Sequence, residues 1–186
     1  MEIKKNDCFT VSIEDMSEDG SGIGKLEGYI WFIKDAVKGD VVEAKAMKMK
    51  KSYGFARLMR VITPSPDRVE PACLVARQCG GCQLQAMSYE SQLKFKENKV
   101  YNNLRRIGGF TDIPFLPIMG MDEPWRYRNK AQFPFGKDKN GQIVTGFYAG
   151  RTHDIIPQED CLLGVEENKQ ILEIIKEYMI ENHVAP

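Results

Sequence analysis

SEDGSGIGKLEGYIWFI, residues 17–33, is the stretch on which the fold turns. Its glycines at 20, 22 and 24 imitate a loop that cradles phosphates or a cofactor carboxylate. Such a loop needs a buried strand before it and a helix after it, so that the anion meets a helix N-terminus. Here the acids Glu18 and Asp19 precede the glycines, and a strand-like run, Gly28–Ile33, follows them. The stretch therefore reads as a turn inside an all-β module. No other Gly-rich strand-to-helix crossing is present, so the chain shows no site of its own for a nucleotide or for S-adenosylmethionine.

Working outward, Val11 and Ile13 alternate with polar residues, as do Val42, Ala44 and Ala46, and the turn-like Val37–Asp40 lies between. A further strand candidate runs from Phe55 to Ile62. Short alternating strands separated by turn signals predict a small barrel over residues 1–63. The run TPSPDRVEPA carries three prolines, and residues 64–72 read as a linker. Residues 73–186 form a second, α+β module with antiparallel strands. Its first helix spans 88–107, capped by Ser88, with Glu90 in the first turn and Gly108-Gly109 at the end. Leu93, Val100, Leu104 and Ile107 share one face of it. WRYRNKAQF then alternates like a strand, with Arg126, Arg128, Lys130 and Gln132 on one side and Tyr127, Asn129, Ala131 and Phe133 on the other. Asn140-Gly141 signals a hairpin returning through QIVTGFYAGR. A last helix covers about 166–182, with Ile171, Ile175, Tyr178 and Met179 in repeat.

The chain has 186 residues, 42% of them hydrophobic and 28% charged, enough to bury a core and ordinary for a globular protein. No apolar run approaches the roughly 20 residues of a membrane span, and MEIKKNDCFTV lacks the apolar core of a signal peptide. The expected location is cytoplasmic, with no membrane partner. A formal net charge of zero conceals two basic blocks. Ala44–Thr63 carries six basic residues and no acid, and Pro124–Thr152 carries six against Asp138. These blocks supply the nucleic-acid candidates: Lys45, Lys48, Lys50, Lys51 and Arg57 from the first, Arg126, Arg128, Lys130 and Arg151 from the second. No catalytic constellation is visible around His153 or His183.

CLVARQCGGCQLQ places Cys73, Cys79 and Cys82 within ten residues, and Cys161 follows far downstream. Clustered cysteines in a chain read as cytoplasmic suggest metal before disulfides. Four thiolates suit either a [4Fe–4S] cluster or a tetrahedral zinc ion, and spacing alone leaves both open. Gly80 and Gly81 permit a tight turn between ligands. Cys8, in the first strand region, reads as a small buried hydrophobe.

The cysteine run, the YRNKAQFPFG segment, GFYAGRTHDII and Cys161 together resemble the RNA uracil-5-methyltransferase family, whose bacterial members modify 23S ribosomal RNA. DGSGIGKLEGYIWFIKDAVKGDVVEAKAMKMKKSYGFARL is similar to a TRAM domain, an OB-like barrel that binds RNA. The resemblance implies that Cys73, Cys79, Cys82 and Cys161 ligate a [4Fe–4S] cluster with a structural role. It implies ribosomal RNA as partner, and S-adenosylmethionine as cofactor of the full-length enzyme only. In the family a further Rossmann-like domain supplies the nucleophilic cysteine, so this chain is expected to be the inactive front portion. Helix 88–107, lacking its cover, is expected to self-associate. The competing expectation is a standalone RNA-binding module with a structural metal site.

Overall fold

The computed structural model describes residues 3–150 and 152–186. Five strands close a barrel: β1 (Cys8–Met16), β2 (Gly22–Leu26), β3 (Tyr29–Lys34), β4 (Val41–Met49) and β5 (Tyr53–Thr63), in the order β1-β2-β3-β5-β4. All neighbours are antiparallel except β3 and β5, which run parallel in the register Ile30↔Tyr53, Phe32↔Phe55, Lys34↔Arg57. The expected barrel is therefore present, and the period of two explains it. Phe9, Val11 and Ile13 of β1, Trp31 and Ile33 of β3, Val42, Ala44 and Ala46 of β4, and Ala56 and Leu58 of β5 all turn inward into one core. Fully burying a large apolar side chain stabilises by roughly 1.5–3 kcal/mol, so this set dominates the module.

The glycines of the opening stretch are explained by crowding inside the barrel. A Cβ on Gly24 would stand 2.7 Å from Val11, and one on Gly22 would stand 2.9 Å from Ala36. Gly54 faces the Trp31 ring, where an added Cβ would come within 2.5 Å. Gly20 and Gly28, both at φ +82°, serve turns instead. Trp31 is buried, and its indole N–H has no hydrogen-bond partner among the described residues.

The segment read as a linker is stitched to the barrel at its start. Asp40 has no exposure, and its carboxylate accepts from the Val37 and Ser65 amides at 2.7 and 2.9 Å. It also accepts from Arg68 Nη2 at 2.7 Å, while that nitrogen donates to the Asp35 carbonyl at 2.6 Å. The proline-rich run is thus held by side chains that its composition did not advertise.

Helix α1 (Tyr89–Arg106) begins at Ser88, whose hydroxyl accepts from the Ser91 amide, and Gly109 lies beyond its end at φ +69°. Of its apolar face, Val100 is 52% and Ile107 79% exposed. Contacts divide the chain into two compact units, Met1–Pro71 with Gln83–Met119, and Ala72–Cys82 with Gly120–Pro186. The helix therefore groups with the barrel, whereas the sequence reading assigned it to the second module. Lys99 donates to the Glu18 carbonyl at 3.0 Å, which ties it to the β1–β2 turn.

The second unit holds a three-stranded antiparallel sheet, β6 (Phe135–Lys137), β7 (Ile143–Tyr148) and β8 (Ile155–Pro157), and helix α2 (Glu167–Glu181). The Asn140-Gly141 hairpin forms as expected. Asp138 accepts from the Asn140 and Gln142 amides, and Gly141 sits at φ +78°. The residues of α2 that pack inward are Leu172 and Met179, while Ile171, Ile175 and Tyr178 are exposed.

One expected strand is absent. Residues 125–133 form no ladder, only a single bridge between Arg128 and Gly164. Arg126 adopts φ +55°, which breaks the pleat, and the Arg126 and Arg128 amides donate to Leu162 and Leu163. Alternation alone could not make a strand where the neighbouring chain is a loop. Among the described residues no helix is long and apolar enough to cross a membrane.

Candidate nucleic-acid interface and cysteine centre

The parity that sends Trp31, Ile33, Gly54, Ala56 and Leu58 inward sends their neighbours out. Across β3, β5 and β4 one outer rung carries Lys34, Arg57 and Lys45, paired in register. The next carries Phe32, Phe55 and Lys48, and a third carries Ile30 and Tyr53. Lys50 and Lys51 occupy the β4–β5 turn. That turn is pinned by the Tyr29 hydroxyl, 2.8 Å from the Lys50 carbonyl and 2.5 Å from the Tyr53 carbonyl. Lys48, Lys50, Lys51 and Arg57 are exposed, Lys45 is half-buried, and among the described residues none of the five is in an ion pair. Arg60, by contrast, is held by Glu43 at 2.7 Å. The structure therefore gathers the first basic block on one face and leaves its charge available.

The second block is divided. The Arg126 guanidinium grips both Asp160 oxygens, at 2.6 and 3.0 Å, and reaches the Cys161 and Gly164 carbonyls at 3.2 and 3.3 Å. The hydrogen bond from Arg126 holds the Asp160 carboxyl below its ordinary range, and the same bond raises the guanidinium. The charge of Arg126 is spent on the 160–164 loop. Arg128 and Lys130 are exposed, and Arg151 lies outside the described residues.

Cys73, Cys79, Cys82 and Cys161 all belong to the second unit, and none is in a disulfide. Local turns fold the 73–79 segment, since the Ala76 amide donates to the Cys73 carbonyl and the Cys79 amide to the Val75 carbonyl. Cys79 bridges Ala149 at the end of β7, and the Gly80 amide donates to Tyr148. A Cβ on Gly80 would lie 2.8 Å from that carbonyl, so the approach requires glycine. The Gly81 amide donates to the Cys79 sulfur at 3.3 Å. The Gln158 amide stands 3.8 Å from the Cys73 sulfur and 2.5 Å from the Asp160 carbonyl, so a single side chain links Cys73 to the residue preceding Cys161. Among the described residues, however, no three Cys, His, Asp or Glu side chains stand close enough to hold a single metal ion. The donor set is soft and all-thiol, but a closed mononuclear site is not assembled. Cys8 is exposed, because β1 buries the opposite parity; the expectation of a buried hydrophobe there is corrected.

Sequence reasoning passed over one group. Phe32, Tyr53 and Phe55 form a cluster of mutually contacting rings on the outer barrel face. Their signal was present in the sequence, since each falls out of phase with a buried neighbour.

The fold defines a closed OB-like barrel with a cationic outer edge, joined in sequence to a small α+β unit. Residues 4–59 match the TRAM domain. An uncharacterized RNA methyltransferase of Halalkalibacterium halodurans is 48% identical over 94% of this chain and 38% of its own length. Another, of Clostridium tetani, is 43% identical over 98% of this chain and 39% of its own. A solved structure, the Pyrococcus abyssi tRNA (uracil-54, C5)-methyltransferase in complex with S-adenosyl-L-homocysteine, shares the fold. Its TM-score is 0.63 at 23% identity, over 94% of this chain and 37% of that one. The chain thus spans under half the length of the relatives it matches.

Proposed function

We propose that this chain is the RNA-engaging portion of a cytoplasmic, S-adenosylmethionine-dependent RNA uracil-5-methyltransferase acting on 23S ribosomal RNA. The observation that carries the reading is the extended similarity to RNA methyltransferases, at 43–48% identity across nearly the whole chain. The cationic rungs of the barrel give it physical content. Lys45, Lys48, Lys50, Lys51 and Arg57 would neutralise phosphates, and Arg128 and Lys130 would add to them from the second unit. The described residues contain no Gly-rich strand-to-helix crossing, so they do not fit S-adenosylmethionine. Methyl transfer is assigned to the additional length that the relatives possess.

Cys73, Cys79, Cys82 and Cys161 would hold a [4Fe–4S] cluster. The donor chemistry supports it, as do the amide N–H groups of Gly81 and Gln158 directed at the Cys79 and Cys73 sulfurs. A cubane binds each cysteine to a different iron, so its ligands stand further apart than those of a lone zinc ion. When bound, the cluster supplies a covalent cross-link between the 73–82 turn and the 160–164 loop. Arg126 and Gln158 hold that loop in place from the protein side.

RNA binding measured from low to high salt tests the RNA reading, because phosphate neutralisation makes affinity fall with added salt. Absence of binding at low salt would overturn it. Full-length protein that fails to methylate C5 of a uridine would overturn the enzymatic part. The exposed Val100 and Ile107 on α1 support self-association, which sedimentation velocity would register as a concentration-dependent shift.

A further inference from the structure

We propose that the outer face of β3 and β5 is a stacking platform for bases of an unpaired RNA strand, formed by Phe32, Tyr53 and Phe55. This rests on the reading that the chain binds RNA, and it names the form of RNA that the barrel takes.

Three observations carry the inference. The rings of Phe32 and Phe55 lie 5.7 Å apart and tilted by 32°, while Tyr53 meets each of them edge-on at 5.8 and 5.7 Å. None belongs to the core, which on these strands consists of Trp31, Ile33, Ala56 and Leu58. Tyr53 is 37% exposed, and Met47 and Met49 on the neighbouring strand are exposed as well. Second, the rung beside the rings is cationic. Lys34, Arg57 and Lys45 cross the sheet two residues further along, about 6.7 Å away, which suits a sugar–phosphate backbone running beside stacked bases. Lys48, opposite Phe55, closes the other flank. Third, the core holds the surface rigid. Gly54 lies against Trp31, and the Tyr29 hydroxyl fixes the turn leading into Tyr53, so little ordering remains to be done on binding.

An aromatic surface flanked by cations needs bases whose faces are open. Duplex RNA stacks its bases on one another and presents only phosphates, 2′-hydroxyls and base edges, whereas a single strand can lay successive bases on protein rings. Every base has a π-face, so the platform tolerates sequence and selects for lack of pairing.

The test uses the intact chain, a fluorescent oligouridine of about ten nucleotides, within the range a barrel of this kind spans, and an RNA duplex of equal length. Tyr53→Ile and Phe55→Ile keep apolar bulk and strand preference but remove the ring. Phe55→Trp restores a ring and guards against a merely structural effect. Each Ile variant should weaken oligouridine binding about tenfold to a hundredfold. The slope of affinity against salt and the duplex affinity should stay unchanged, and Phe55→Trp should bind like the native protein. Native oligouridine affinity in the Ile variants, with loss on Arg57→Gln, would overturn the platform while leaving RNA binding intact. Equal losses on single strand and duplex would also overturn it. If the native chain binds neither probe at low salt, the RNA reading fails and the platform with it.

Discussion

Replacing Asp40 by alanine removes one acceptor from several donors at a position without exposure. The Val37 and Ser65 amides lose partners at 2.7 and 2.9 Å. The Arg68 guanidinium, whose side chain is 16% exposed, then keeps the Asp35 carbonyl alone among the described residues. Breaking a buried ion pair from one side costs about 3–5 kcal/mol, because the other charge stays desolvated and unpaired. Orphaned amides would each add about 1–3 kcal/mol, but the freed groups relax toward water together, so the terms overlap. The expected loss is about 4 kcal/mol, a large share of the roughly 5–15 kcal/mol of a typical domain. The chain has two tryptophans, so a Trp125→Phe background leaves buried Trp31 as the reporter of barrel unfolding in urea. Arg68→Met should cost a comparable amount. Asp40→Leu with Arg68→Met should recover much of the loss, since both charges then leave together. An Asp40→Ala loss below about 1 kcal/mol, or a double variant as unstable as the sum of the singles, would refute the reasoning.

Three further outcomes are expected. If Lys45, Lys48, Lys50, Lys51 and Arg57 supply the phosphate contacts, log affinity for single-stranded RNA should fall against log salt with a slope near about −3.5. Replacing Lys48 and Lys51 with glutamine should flatten it by about 1.4, and Arg126→Ala should leave it unchanged; a slope that responds to Arg126 would mean its charge reaches RNA after all. Because the Asp160 carboxyl is held below its ordinary value, the clamp on the 160–164 loop is complete above about pH 3.9 and fails as pH falls through the lowered value. Hydrogen-exchange protection at the Arg126 and Arg128 amides, corrected for intrinsic rates, should therefore be flat at neutral pH and drop only in strong acid; a drop between pH 5 and 7 would contradict the ion pair. Anaerobically purified protein should be brown with about four irons per chain, and colourless protein with one zinc would remove the cluster.

Much of the barrel was legible because its strands bury one face only, so the period of two survives in Val11, Ile13, Val42, Ala44 and Ala46. Ser88 and Asn140-Gly141 were legible for another reason, since caps and tight turns depend on a few adjacent residues. What failed depended on partners distant in sequence. Arg126 looked like one tooth of a basic comb until Asp160, 34 residues away, claimed its guanidinium. The linker reading missed Arg68 because its partner, Asp40, lies 28 residues upstream. Phe32, Tyr53 and Phe55 meet only because β3 and β5, distant in sequence, pair in parallel. Their parity against Trp31, Gly54 and Ala56 would have found them.

The stitch between the barrel and the chain beyond it separates two kinds of boundary. The match to the TRAM domain stops at residue 59, yet Ser65 and Arg68, which complete the surroundings of Asp40, lie past that edge. Cutting at the edge of that match would strand an acid in the wall of the barrel. The named domain and the cooperatively folded barrel here have different lengths, and anyone transplanting this module must carry the short proline-rich tail along with it.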